Sequence, residues 1–96
     1  MIHISESDPI IAVIKINESQ YMVEVNHNIY TIHTVTLNPN IYTKISKNLI
    51  TPEELIHASF VFLLERESNQ SILSKFNLEI IQTYFPEYSN EIKNYF

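Results

Sequence analysis

The stretch "TPEELIHASFVFLLERE", residues 51–67, predicts the central helix of the fold. Thr51 is a favoured N-cap, Pro52 suits the first helical position, and Glu54 completes a capping box. Beyond this first turn, apolar side chains from Leu55 to Leu64 occupy most of the helix circumference. A helix with that pattern is buried on more than one side. We therefore expect a sheet on one flank and further helices on another.

Upstream of this helix, three short apolar and β-branched runs predict strands. They are "IIAVIKI" (10–16), "YMVEV" (21–25) and "IYTIHTVTL" (29–37), separated by turn-like segments of three or four residues. Strands joined by such short turns form an antiparallel meander. The sequence "NPN" (38–40) then ends the β region, because proline cannot continue a central strand.

The alternation within the second strand predicts which face of the sheet is buried. Tyr21, Val23 and Val25 point to one side, whereas Met22 and Glu24 point to the other. The first of these faces is expected to need a covering layer.

The segments after residue 67 predict further short helices. Residues 69–76 and 78–85 show apolar side chains at three- and four-residue spacing, and residues 86–96 carry one more apolar stripe. Residues 41–48, "IYTKISKN", fit either one or two helical turns or an extended linker.

The fold class predicted from these segments is α+β. A three-stranded antiparallel β-meander (10–37) precedes three or four α-helices in the helical part (51–96). Because a chain of 96 residues supports one core, residues 1–96 are expected to form a single domain.

The composition excludes several kinds of site. Glycine is absent, which removes phosphate-binding loops, the dinucleotide fingerprint and the nucleophile elbow. Asparagine is expected to supply left-handed turn positions instead. Cysteine is also absent, so disulfides, thiolate metal sites and cysteine nucleophiles are excluded.

Charge and hydropathy indicate the cellular setting. The net charge is −5 and the six basic residues are scattered, which disfavours nucleic-acid binding. The first residues lack the pattern of a secretory signal, and no apolar run is long enough to span a membrane. We therefore expect a cytoplasmic protein with no membrane partner.

The second half of the chain carries several distinctive short strings. "TPEEL", "ASF", "FLLERE", "SIL" and "YFPEY" occur in order within residues 51–88. In this pattern the chain resembles a family of small uncharacterised bacterial proteins. The resemblance implies a bacterial origin and a compact helical half, and brings no activity. His57 departs from the pattern, which has an acidic or other polar residue at that position.

The histidines and carboxylates leave a chemical alternative open. Glu54 and His57 have the E-x-x-H spacing of a metal-binding helix, and His27 and His33 lie six residues apart. A small metal-binding or hydrolytic domain using His27, His33 or His57 with nearby carboxylates is thus the alternative function. The further ligands of a metal site and the nucleophile of a hydrolase are not evident, because no second E-x-x-H and no nucleophile motif occurs. We expect no catalytic residue, cofactor or metal, and a solvated charged rim around Arg66.

The aromatic residues favour a different function. Tyr88, Tyr95 and Phe96 fall near the end of the chain, and Phe62 belongs to the apolar helix. Aromatic side chains are enriched at protein interfaces. The sequence therefore predicts a non-enzymatic protein-interaction module or homodimer whose interaction surface contains Phe62, Tyr88, Tyr95 and Phe96.

Overall fold

The structure, a computed structural model, describes residues 8–96. The polar start of the chain, residues 1–7, lies outside this range. Within the described part, the predicted α+β class and the antiparallel meander are confirmed.

Three antiparallel strands form the first part of a four-stranded mixed sheet. They are β1 (Ile10–Lys15), β2 (Gln20–His27) and β3 (Ile29–Thr36), and a short fourth strand, β4 (Lys75–Asn77), lies parallel to β3. The order across the sheet is β1-β2-β3-β4.

Four short α-helices accompany the sheet in residues 8–96. They are α1 (Pro39–Ser46), α2 (Pro52–Leu64), α3 (Ile80–Tyr84) and α4 (Tyr88–Glu91), and α4 continues as a 3-10 turn over Ile92–Tyr95. Residues 41–48 are thus largely helical. None of the helices in the described range has the length and apolar character needed to cross a bilayer.

The first turn of α2 has the predicted capping box. The Glu54 backbone N–H donates to Thr51 Oγ1 at 3.1 Å, and the Thr51 N–H donates to Glu54 Oε1 at 2.8 Å. Each bond satisfies a backbone donor that the helix leaves unpaired. Because Glu54 is held in this cap, its carboxylate already has a structural role.

Helix α2 lies between two apolar layers, as its composition predicts. On one side Phe60 packs against the sheet, with its ring centroid 5.4 Å from that of His33. On the other side Phe62 packs against the C-terminal helices, 5.2 Å from the Tyr88 ring. The predicted apolar face of β2 is buried beneath this helix, with Tyr21, Val23 and Val25 at most 2% exposed.

Asparagine supplies two of the left-handed turn positions. Asn28 joins β2 to β3 with φ of 67°, and Asn48 follows α1 with φ of 61°. Lys47, also left-handed at 51°, ends α1 and donates its N–H to the Thr43 carbonyl. These are positions where glycine is usual.

The prediction of a helix over residues 69–76 is wrong. This segment contains a 3-10 turn at Asn69–Ser71 and then enters β4. The free edge of β3 decides the outcome, because the Thr34 N–H donates to the Ser74 carbonyl at 2.8 Å and the Leu78 N–H donates to Thr36 at 2.9 Å. Sheet pairing thus overrides a helical apolar spacing.

Candidate interaction surface

The pairing register defines a second face of the sheet that sequence analysis did not single out. Residues directly opposite each other on neighbouring antiparallel strands project to the same side. On the side away from α2, these residues form what we call the outer face, whose apolar members are Ile10, Ala12, Ile14, Met22, Tyr30 and Ile32.

The outer face is exposed to solvent. Ile10, Tyr30, Ile32 and Ile14 are 66, 51, 48 and 44% exposed, and Ala12 and Met22 are half-buried. No element within residues 8–96 covers them to the extent that α2 covers the inner face. Large apolar side chains clustered in this way mark an interaction surface more strongly than single exposed leucines do.

Two charged side chains belong to the same face. Glu24 lies on β2 opposite Ile32, and Lys75 lies on β4 beside Thr34. A hydrogen bond to the Glu24 carboxylate raises the pKa of the Tyr30 phenol, because it stabilises the neutral form, and the negative charge of Glu24 adds to the effect. These charges are two strands apart and opposite in sign.

The four residues predicted to form an interaction surface do not lie together on the surface. Phe62 and Tyr88 are 0% and 1% exposed, so they belong to the core of the chain itself. Tyr95 is half-buried, with its ring 5.8 Å from Phe62, and its hydroxyl donates to Glu65. Of the four, Phe96 alone is exposed, at 38%. The sequence prediction is corrected for Phe62 and Tyr88.

Arg66 lies where the end of α2 meets the C-terminal aromatic side chains. Its guanidinium lies 3.6 Å over the Phe62 ring and donates to Glu87 at 3.0 Å and to Glu91 at 2.9 Å. The backbone N–H of Glu87 donates to the Glu87 carboxylate. This bond, together with the hydrogen bond from Arg66, lowers the pKa of Glu87. Arg66 thus joins the end of α2 to α4, and the carboxylates that it binds stay 41 to 55% exposed at this charged rim.

Tyr88 makes a buried polar contact with α2. Ser59 Oγ donates its single proton to the Leu55 carbonyl at 2.8 Å, so the Tyr88 hydroxyl donates to Ser59 Oγ at 2.7 Å. Burial raises the pKa of Tyr88 from 10.0 to about 12, while the bond to Ser59 opposes the shift. The neutral phenol is therefore favoured by folding.

We expect Tyr88→Phe to weaken the alkaline sensitivity of the fold. Between pH 10 and about 12 the unfolded chain releases the Tyr88 proton while the folded chain retains it. Over this range, the free energy of unfolding therefore falls by about 1.4 kcal/mol for each unit by which the pH rises. Chemical denaturation at several pH values measures this slope, and the variant should show a shallower one. An identical slope in both proteins would contradict the assignment.

The three candidate histidines occupy separate environments. His33 is 2% exposed and bonds through Nδ1 to the Leu73 carbonyl at 2.8 Å and through Nε2 to Thr31 Oγ1 at 2.9 Å. His57 is exposed on α2, and His27 lies at the β2–β3 turn. Within residues 8–96, no three histidine or acidic side chains come together as metal ligands would.

Comparisons with protein-family models, with curated proteins and with solved structures found no match to this chain. The resemblance of residues 51–88 to a bacterial family therefore stays a prediction.

The sequence did contain a signal for the outer face. "IIAVIKI" is apolar at both odd and even positions, and Tyr30 and Ile32 share the alternation of the exposed side of β3. A strand that is apolar on both faces is normally covered on both. Helix α2 and the C-terminal helices leave one face of this sheet open, which the strand composition alone could have indicated.

Proposed function

We propose that this protein is a non-enzymatic interaction module that binds a second copy of itself through the outer face. The observation that supports the proposal is the cluster of apolar side chains on β1, β2 and β3, of which Ile10, Ile14, Tyr30 and Ile32 are exposed. Burial of this cluster against another chain is favourable in proportion to the apolar area removed from water.

The size of the cluster fits a modest interface. It spans three strands and about five residues along each, or roughly 250 Å² in projection. Patches of a few hundred Å² commonly mark interaction sites, whereas a standard interface buries about 800 Å² per partner. Polar side chains around the cluster must therefore also be buried, and we expect a dissociation constant of about 1–100 µM.

Charge complementarity favours a second copy as the partner. Glu24 and Lys75 lie on either side of β3, and Ile32 and Thr34 occupy β3 between them. A two-fold axis that lies in the plane of the interface over β3, perpendicular to the line from Glu24 to Lys75, places each Glu24 opposite Lys75 of the other copy. Such an axis is the usual symmetry of homodimers, and it pairs the charges that the face would otherwise bury alone.

Sedimentation velocity across about 1 µM to 1 mM protein tests the proposal. Wild-type protein should dimerise, and Ile32→Glu should weaken the dimer at least about 30-fold, because each copy would bury a new charge. Leu49→Glu is the matched control, since Leu49 is 72% exposed but lies outside the sheet. This control should leave the dissociation constant within about twofold.

A charge exchange sharpens the test. Glu24→Lys and Lys75→Glu should each weaken association, and the double variant should recover most of the wild-type affinity. A chain that stays monomeric across the range, or that dimerises equally well with Ile32→Glu, would overturn the proposal. A double variant weaker than both single variants would reject the two-fold arrangement.

The setting that we propose for this function is cytoplasmic, with protein rather than nucleic acid as the partner. The absence of cysteine and the net charge of −5 support both parts.

A further inference from the structure

A groove lies away from the outer face, between the segment after α2 and helix α3. Its volume is about 330 Å³. An apolar cavity of about 150 Å³ is sufficient to bind benzene, so this groove has room for a ligand somewhat larger than a single ring. Its floor is formed by buried apolar side chains, namely Leu63, Ile72, Phe76 and Ile81.

The rim of the groove carries exposed apolar groups. Tyr84 is 63% exposed and Leu73 is 46% exposed, and both border the opening. Aromatic rings at such a position attract cations as well as apolar groups.

One charged side chain, Glu67, is among the residues that line this groove. In the part of the chain that the structure describes, its carboxylate takes no part in the ion pairs of the neighbouring Arg66, which involve Glu65, Glu87 and Glu91. Partial burial raises the pKa of Glu67, and no cation within residues 8–96 offsets this effect. A positively charged ligand group would offset that cost.

We propose that the groove binds small hydrophobic amines, with the apolar body on the floor and the ammonium group beside Glu67. The combination matches the usual composition of ligand sites, in which an apolar cavity contains a few polar groups that fix orientation. The proposal is independent of self-association, because the lining residues belong to α2, α3, the inner side of β4 and the connecting segment.

The test uses phenethylamine and its neutral counterpart phenylethanol as probes. Each is titrated into isotope-labelled full-length protein at neutral pH, and backbone amide shifts are followed by NMR. The amine should bind at least about tenfold more tightly than the alcohol, with the largest shifts between residues 63 and 85. The pKa of the Glu67 carboxyl should fall when the amine is added and remain unchanged with the alcohol.

Two variants isolate the role of Glu67. Glu67→Gln should bind both probes equally, because the neutral amide keeps the shape of the side chain but removes its charge. Glu18→Gln is the matched control, since Glu18 is exposed in the β1–β2 turn and the change in net charge is the same. It should retain the preference for the amine.

Three results would overturn the proposal. They are equal affinity of wild-type protein for the two probes, the same preference in Glu67→Gln, and an absence of saturable shifts around the groove. A well-dispersed spectrum of Glu67→Gln before titration separates loss of binding from loss of folding.

Discussion

Replacing Phe62 with alanine is expected to lower the free energy of unfolding by about 3–5 kcal/mol. The ring is fully buried and lies 5.2 to 6.1 Å from those of Tyr88, Tyr95 and Phe85. It also supports the Arg66 guanidinium at 3.6 Å. Truncation leaves a cavity where three segments meet, so the cost includes lost contacts as well as lost burial. Urea denaturation followed by circular dichroism measures the change.

Phe96→Ala is the matched control, because Phe96 is 38% exposed. Its effect should stay below about 1 kcal/mol. The comparison also separates the two interpretations of Phe62. A role in the core predicts lost stability, whereas a role in an interface predicts weaker association with stability unchanged. Loss of association in Phe62→Ala at unchanged stability would contradict the core assignment.

His33→Leu is expected to cost about 2–3 kcal/mol of stability, although leucine is apolar and close in size. The substitution leaves the Leu73 carbonyl without the His33 Nδ1–H, which donates to it at 2.8 Å. It also removes one partner from a chain of contacts that continues through Thr31 Oγ1 to Asn69 Nδ2, at 2.9 and 3.0 Å. This network attaches the segment before β4 to β3.

Native-state hydrogen exchange locates the effect of this variant. The Thr34 amide, which donates to the Ser74 carbonyl, should lose protection before the amides that pair β1 with β2. His57→Leu serves as the control, because His57 is exposed, and should change stability by less than about 0.5 kcal/mol. A loss of similar size in both variants would show that the network around His33 contributes nothing specific.

Local sequence was sufficient to predict the elements that depend on neighbouring residues. The start of α2 follows from Thr51, Pro52 and Glu54, whose contacts lie within one helical turn. The β1–β3 meander follows from β-branched runs of strand length, and the left-handed turn at Asn28 follows from the lack of glycine. Each signal acts over a few residues.

The segment 69–76 shows where local reasoning fails. Ile72, Leu73 and Phe76 have the spacing of one helix face, yet Leu73 is 46% exposed and Phe76 pairs with Val35 in the sheet. The open edge of β3, some 40 residues earlier, offers backbone hydrogen bonds that a short helix of this sequence does not replace. No sequence pattern within residues 69–76 indicates that the edge of β3 is open.

The candidate interaction surface also depends on contacts between residues that are distant in the sequence. Sequence composition showed that β1 is apolar on both faces and that aromatic residues concentrate near the end of the chain. It did not show which of these groups the helices cover. Tyr88 and Tyr95 pack against Phe62 on the side of α2 away from the sheet, so they cover none of the outer face.

The sequence by itself determined the α+β class, the capped central helix, the antiparallel order of β1 to β3 and the absence of glycine- and cysteine-dependent sites. Each of these features rests on composition or on contacts between near neighbours. Tertiary structure alone decided the parallel strand β4, the burial of Phe62 and Tyr88, the exposure of Ile10, Ile14, Tyr30 and Ile32, and the groove beside Glu67. These features depend on which distant surfaces meet, and a limited number of helices can cover only part of the apolar area that the strands present.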